Sequence, residues 1–179
     1  CNDYRVFSNY GSLLKDLGKL KDAENYLRKA SAIKSDSAWL HFNLATILYD
    51  LGDLTESKNS FLKAIEINPD LYQAYYNLGN TLRDLGELND AQISLIKAIK
   101  LKPDFVEALS NLGDIFRDLG NYKEAEQLLT RAILLNPNFE NAYCNLGNVL
   151  LDLGRSNEAE LSVRKAIEFN SDFAMAHNN

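Results

Sequence analysis

Six asparagines, Asn9, Asn43, Asn77, Asn111, Asn145 and Asn179, recur at a constant step of 34 residues. They are the side chains of this sequence best suited to recognition chemistry. A primary amide offers both a donor and an acceptor, so a row of amides can hold the main chain of an extended peptide without reading its sequence. The same amides can instead bond a neighbouring helix and tie one repeat to the next, and the two roles can coexist. Asn costs roughly half a kcal/mol against Ala inside a helix, so six placements at one helical position need a reason other than helix formation. A second group is aromatic. Trp39, Phe42 and Tyr49 are spaced to share roughly one face of a helix, and Tyr76 joins that face from the next copy of the repeat. Such rings either anchor a partner's side chain or sugar, or cover the joint between copies.

Catalytic chemistry finds no comparable set. His41 and His177 occupy the position held elsewhere by Phe7, Tyr75, Leu109 and Tyr143, so they read as core substitutes four copies apart, unable to share a metal. The glycines are accounted for by turns and close packing, which leaves no phosphate-cradling loop, and no nucleophile has a base nearby. No cofactor is expected. Cys1 and Cys144 lie more than four copies apart, beyond disulfide reach if neighbouring helices are about 10 Å apart. A net charge of −6 and a pI near 5.0 provide no basic face for nucleic acid, and no run of 18 apolar residues exists to span a membrane. A first residue of Cys could mark a lipid-modified amino terminus, but the flexible linker usual after such a residue is missing before Tyr4. The lack of an initiator Met makes the chain either processed or a segment of something longer, and its compartment is not legible.

The elements that must position the asparagines follow from the same 34-residue step. The tripeptide Asp-Leu-Gly recurs at Asp16, Asp50, Asp84, Asp118 and Asp152. Numbering slots from Cys1, Ser35, Pro69, Pro103 and Pro137 gives copies at 1–34, 35–68, 69–102, 103–136 and 137–170, with a partial sixth at 171–179. The array fills residues 1–179 as one domain. In the central copy, Tyr75, Leu78, Gly79, Leu82 and Leu85 lie on one helical face, and Leu88, Ala91, Leu95, Ala98 and Ile99 lie on another, so each copy predicts two amphipathic helices. Asp70 with Gln73, and Asp104 with Glu107, are expected to cap the first helices. Asn89 with Gln92, and Asn157 with Glu160, are expected to cap the second. The Gly of each Asp-Leu-Gly predicts a left-handed residue ending the first helix. Invariant small residues, Ala30 through Ala166 and Gly11, Gly79, Gly113 and Gly147 with Ala45 in the same slot, predict close helix approach. On the second helices, acidic first turns (Asp22 to Glu158) and basic last turns (Lys29 to Lys165) complement the helix dipole and predict a solvated outer face without a site. The turn aspartates are expected to pair with Lys15, Arg83 or Arg117 rather than to form an acidic rail.

The period, Leu78-Gly79, Ala91 and Ala98 in their slots and the Pro that opens a copy closely resemble the tetratricopeptide repeat. Ser57 for Ala, Ser35 and Ser171 for Pro, and Ser156 in an aromatic or Leu slot are local departures. The resemblance implies an all-α, right-handed superhelical solenoid whose first helices line a concave groove. In the O-linked N-acetylglucosamine transferases, a similar asparagine ladder bonds the backbone of an extended peptide. By the same resemblance, slot eight (Ser8, Phe42, Tyr76, Ser110, Cys144) and slot twelve (Ser12, Thr46, Asn80, Asp114, Asn148) face the groove. Neither holds the lysines that tetratricopeptide domains use to grip chaperone carboxylate tails. The resemblance thus implies a non-enzymatic protein-interaction scaffold for a protein or extended peptide. Two alternatives are a structural protein whose uncapped ends stack head to tail into a homo-oligomeric filament, and a docking arm of a larger enzyme such as a glycosyltransferase.

Overall fold

The computed structural model describes residues 3–169. They form ten α-helices and no strand: α1 (Tyr4–Asp16), α2 (Leu20–Ile33), α3 (Ala38–Asp50), α4 (Leu54–Ile67), α5 (Tyr72–Asp84), α6 (Leu88–Leu101), α7 (Val106–Asp118), α8 (Tyr122–Leu135), α9 (Glu140–Asp152) and α10 (Ser156–Phe169). First helices of 13 residues alternate with second helices of 14, and each class begins every 34 residues. The fold is an all-α solenoid of helix-turn-helix repeats. Two compact units divide it, Cys1–Ser94 and Leu95–Asn179, the boundary lying within α6.

Each turn between paired helices is built by its glycine. Gly18, Gly52, Gly86, Gly120 and Gly154 have φ between +71° and +82°, as the tripeptide predicts. The reversed backbone lets Gly18 N–H donate to the Lys15 carbonyl and Lys19 N–H to the Leu14 carbonyl, both at 2.8 Å. Two carbonyls that the helix end would otherwise leave bare are thereby satisfied.

The expected caps do not form. Helices α5 and α7 start at Tyr72 and Val106, with Leu71 and Phe105 as the flanking residues and no side-chain cap at either. Burial decides this: Leu71 is driven into the core and sets where the helix begins. Asp70 is left in the preceding turn, where its N–H donates to Asn68 Oδ1 at 3.1 Å. Asn89 and Asn157 lie one residue inside α6 and α10, which Leu88 and Ser156 open. The capping slot of the second helices is the one before, where the Asp53 carboxylate accepts from Glu56 N–H at 3.2 Å.

Within a pair, the small residues do what their recurrence predicts. Ala30, Ala64, Ala98 and Ala132 are fully buried, and Ala166 nearly so. A methyl added at Gly11 would lie 3.0 Å from Leu27 Cγ, and at Gly113 only 2.7 Å from Leu129 Cγ. In the copy where slot eleven is Ala45, Ser57 replaces the usual Ala and donates from Oγ to the Ala45 carbonyl at 2.9 Å, so the buried hydroxyl is satisfied.

The joints between copies repeat one register. In the first unit Ala23, Leu27 and Ala30 of α2 pack with Leu40, Leu44 and Ile47 of α3, and Leu51 closes the edge. In the second unit Ala125, Leu129 and Ala132 of α8 pack with Ala142 and Val149 of α9, flanked by Leu146 and Leu153. At both joints, slots six, ten, thirteen and seventeen of a first helix therefore meet the second helix before it.

Candidate functional site

In the first unit, α3 and α5 bring Asn43 and Asn77 together, with Ser12, Thr46 and Asn80 of slot twelve beside them, whereas Asn9 of α1 is exposed and lines neither of the recesses there. Thr46 is turned back on its own helix, Oγ1 donating to the Phe42 carbonyl at 2.9 Å. The side-chain amides of Asn43 and Asn77 are half-buried and make no hydrogen bond among the described residues. They line two adjoining recesses. One, of 280 Å³, has Leu27, Phe42 and Ile47 for its apolar wall and Ser12, Asn43 and Asn77 for its polar one. The other, of 190 Å³, lies over Phe61 and is rimmed by Thr46, Tyr49, Asp50, Asn77 and Asn80. Asn77 and Thr46 belong to both. An apolar floor under unpaired amides suits a chain segment that inserts side chains while its peptide groups stay hydrogen-bonded.

The aromatic patch is divided by the structure. Phe42 packs edge-on against the buried Phe61, ring centres 5.8 Å apart, and Trp39 meets Phe42 at 5.3 Å while remaining half exposed. Phe42 therefore serves both the core and the recess wall, whereas Trp39 touches Phe42 without lining either recess. Tyr49 donates its hydroxyl to the Asp84 carboxylate of the next copy. That bond, with burial second, pushes the Tyr49 pKa up to about 12. Because the neutral phenol is the form held, its contribution is complete below the ordinary value near 10 and is lost as pH rises through about 12. In an ultraviolet titration we expect the tyrosine ionising near 12 to be missing in Tyr49→Phe and to return toward the ordinary range in Asp84→Asn, while Tyr75, raised by burial and then by Asp70, stays late in both. Ionisation of every tyrosine near 10 would contradict the bond.

Several turn aspartates pair with the cation at slot fifteen, within a copy or across to the next. Lys15 Nζ lies 3.4 Å from Asp50, and Arg117 lies 2.9 Å from Asp118 and 3.6 Å from Asp152. Slot fifteen of one copy thus reaches slot sixteen of the next, with Tyr49 replacing the cation at one step.

The second unit treats its asparagines differently. Asn145 donates from Nδ2 to the buried Ser110 Oγ at 3.2 Å, which spends the amide on the joint between copies. Ser110 stands in the slot that holds Phe42 and Tyr76 elsewhere, so a partner exists here that Asn77 lacks in Phe42. Asn111 is half-buried and hydrogen-bonded or otherwise engaged, Asp114 pairs with Arg117 at 3.2 Å, and Asn148 and Cys144 are exposed. Although the residue is exposed overall, partial burial of its thiol, then the nearby Glu140, pushes the Cys144 pKa up, which disfavours the reactive thiolate. Asn80 and Tyr76 are likewise engaged. Asn179, His177 and the partial sixth copy lie outside the described residues. His41 is half-buried with its Nε2 3.0 Å from the Ser35 carbonyl. Among the described residues no cluster of His, Cys, Asp or Glu could hold a metal, and no helix is long and apolar enough to cross a membrane.

The outer face is not uniformly solvated, contrary to what its charges predict. Ion pairs do cross between copies there, Lys58 with Glu87 at 2.7 Å in the first unit and Arg155 with Glu126 at 2.8 Å in the second. Each unit also carries an apolar groove on this face. In the first, Leu62 and Ile93 flank Leu78 and Leu82 in a groove of 240 Å³. In the second, Ile96, Leu128, Leu112 and Phe116 form an equivalent groove of 440 Å³. Leu62 and Ile96 share slot twenty-eight, where other copies have Arg28, Thr130 and Arg164; that switch is the signal the sequence offers.

Models of the TPR repeat match residues 45–82, 79–116 and 113–154, and a tetratricopeptide repeat model matches 4–37 and 140–173. The chain belongs to the tetratricopeptide repeat family. No curated protein matches it in sequence. Among solved structures, MamA superposes with a TM-score of 0.84 at 22% identity, over 96% of this chain and 94% of that one. MamA of Desulfovibrio magneticus RS-1 superposes at 0.87 with 18% identity, over 94% and 96%. YrrB, described as a TPR protein with an unusual peptide-binding site, superposes at 0.79 with 22% identity, over 99% and 91%. At these identities the likeness establishes the tetratricopeptide fold.

Proposed function

We propose that this tetratricopeptide protein is a non-catalytic interaction scaffold that binds an extended peptide on its asparagine-bearing face. The observation that carries this reading is the pair of free amides, Asn43 and Asn77, set over two adjoining apolar-floored recesses. Inside a helix an unengaged amide adds nothing to stability that Ala would not exceed, so its use lies with a ligand. YrrB, a structural neighbour with a peptide-binding site, supports the same use of this fold. Asn77, which borders both recesses, is the natural clamp for the peptide unit between two inserted side chains. The engaged Asn145 is assigned to the joint, not to the ligand.

The test is display selection of peptides on the whole chain, followed by anisotropy titration of the selected sequences. Asn43→Ala/Asn77→Ala is expected to weaken binding about tenfold, the loss of two neutral hydrogen bonds worth roughly 0.7 kcal/mol each. Asn145→Ala should leave affinity unchanged while lowering stability slightly. Equal affinities for the wild type and the double variant would remove the reading.

A further inference from the structure

The 440 Å³ groove on the outer face of the second unit is bounded by helices from the middle of the chain. Ile96 and Ile99 of α6 form one wall, Leu128 of α8 the other, and Leu112 and Phe116 of α7 the floor. Repeats stack along the array, so an adjoining copy meets an end helix and does not cover a groove whose two walls are both in place. Ile96 is 45% exposed, in the slot that holds Arg28, Thr130 and Arg164 in other copies. With the half-buried Ile99, Phe116 and Leu128 beside it, it makes a continuous apolar surface rather than one stray residue.

What the groove fits follows from its margin. Glu124, Gln127, Leu128 and Arg131 stand at i, i+3, i+4 and i+7 of α8, one helical face, with the two charged positions about 10 Å apart along the axis. The Glu124 carboxylate has no ion-pair partner among the described residues, and Arg131 meets a neutral group instead of an acid, donating to the Pro103 carbonyl at 2.6 Å. In the first unit's groove, Lys58 and Glu87 at the margin satisfy each other at 2.7 Å and leave less charge to offer. An extended segment would press main-chain N–H and C=O groups against Ile96, Ile99, Leu112 and Phe116, where the lining offers them a single amide, Gln127. A helix brings those groups already paired.

We propose that this groove is a second docking site, occupied by an amphipathic helix of a partner protein with an acid, two apolar residues and a base at i, i+3, i+4 and i+7. The helix runs antiparallel to α8 and needs about three turns. Its acid then lies in its own first turn opposite Arg131 and its base in its last turn opposite Glu124. Both charges agree with its dipole as well as with the groove. The apolar pair fills the space between Ile96 and Leu128.

Selection on the whole chain from a displayed library of stable helices, randomised at those four positions, tests this, and the winning helix is then titrated by fluorescence anisotropy. Winners are expected to carry Asp or Glu first and Lys or Arg last. Ile96→Arg places in this slot the side chain that Arg28 and Arg164 already place there, so the variant should fold. It is expected to weaken the winning helix at least about tenfold. Leu62→Arg, the same change in the first unit's groove, should leave that helix bound as before. The exchange Glu124→Arg/Arg131→Glu should weaken it about fivefold and favour instead the helix with its acid and base transposed. Circular dichroism checks the fold of each variant. No winner sensitive to Ile96→Arg, an equal loss in Leu62→Arg, or indifference to charge order in the wild type and the exchanged variant alike would each overturn the proposal.

Discussion

Leu129→Ala is expected to lower stability by about 3 kcal/mol. Leu129 is fully buried and lies in both kinds of contact that build the second unit. It seals the α7–α8 pair against Gly113, whose Cα has no substituent because Leu129 Cγ occupies that space. It also meets α9 across the next joint. Truncation therefore removes transfer energy and opens a void that two interfaces share. The effect of a methyl at Gly113 should change sign with it. Gly113→Ala alone sets about 1 kcal/mol of gained helix propensity against an overpacking cost of roughly 1–3 kcal/mol, since the new methyl would lie 2.7 Å from Leu129 Cγ. It should destabilise. In the Leu129→Ala background the obstruction is gone and the same Gly113→Ala should stabilise by about 1 kcal/mol. Urea unfolding of the four proteins closes the cycle, with the exposed Leu134→Ala as a control near zero. Additive effects of the two substitutions would show that Gly113 is not kept for Leu129.

The same pair explains how much of the fold is legible from the sequence. Slot eleven is Gly wherever slot twenty-seven is Leu or Val, and Ala45 in the one copy whose slot twenty-seven is Phe61. A planar ring leaves room for a methyl that a chain branched at Cγ or Cβ does not. Helix number, turn position and the buried faces follow from such periodic constraints, because every copy solves the same packing problem. The capping residues do not follow. Asp70 and Asn89 have the right chemistry one or two residues away from the right place, and at the first of them burial of Leu71 decides the boundary over a cap worth about 1 kcal/mol. The site is half legible. The ladder of asparagines announces itself by recurrence, but which amides are free does not: Ser110 engages Asn145 and Phe42 offers Asn77 nothing, yet Asn43 stays free although Ser8 fills the slot of Ser110. The grooves of the outer face are hidden in the sequence because the charges around them repeat and the apolar residues at slot twenty-eight do not.

Gly120→Val is expected to cost about 2 kcal/mol for a reason that has nothing to do with space. A Cβ at Gly120 would have no atom within 4 Å, the reverse of the situation at Gly113. The obstacle is φ of +78°, where a side chain branched at Cβ collides with its own backbone. Escape to negative φ would break the bonds from Gly120 N–H to the Arg117 carbonyl at 2.9 Å and from Asn121 N–H to the Phe116 carbonyl at 2.8 Å, which together close α7. Gly120→Asn should cost well under half as much, since Asn tolerates the left-handed region by bonding locally. Thermal unfolding followed by circular dichroism separates the two explanations. If strain governs, Val is far worse than Asn, although the two side chains are similar in size and both face open solvent. If the position only needed a small residue, both would be tolerated, since nothing is there to be displaced. Equal midpoints for the two variants would mean that the turn can close without its left-handed residue, and the Asp-Leu-Gly recurrence would then need another cause.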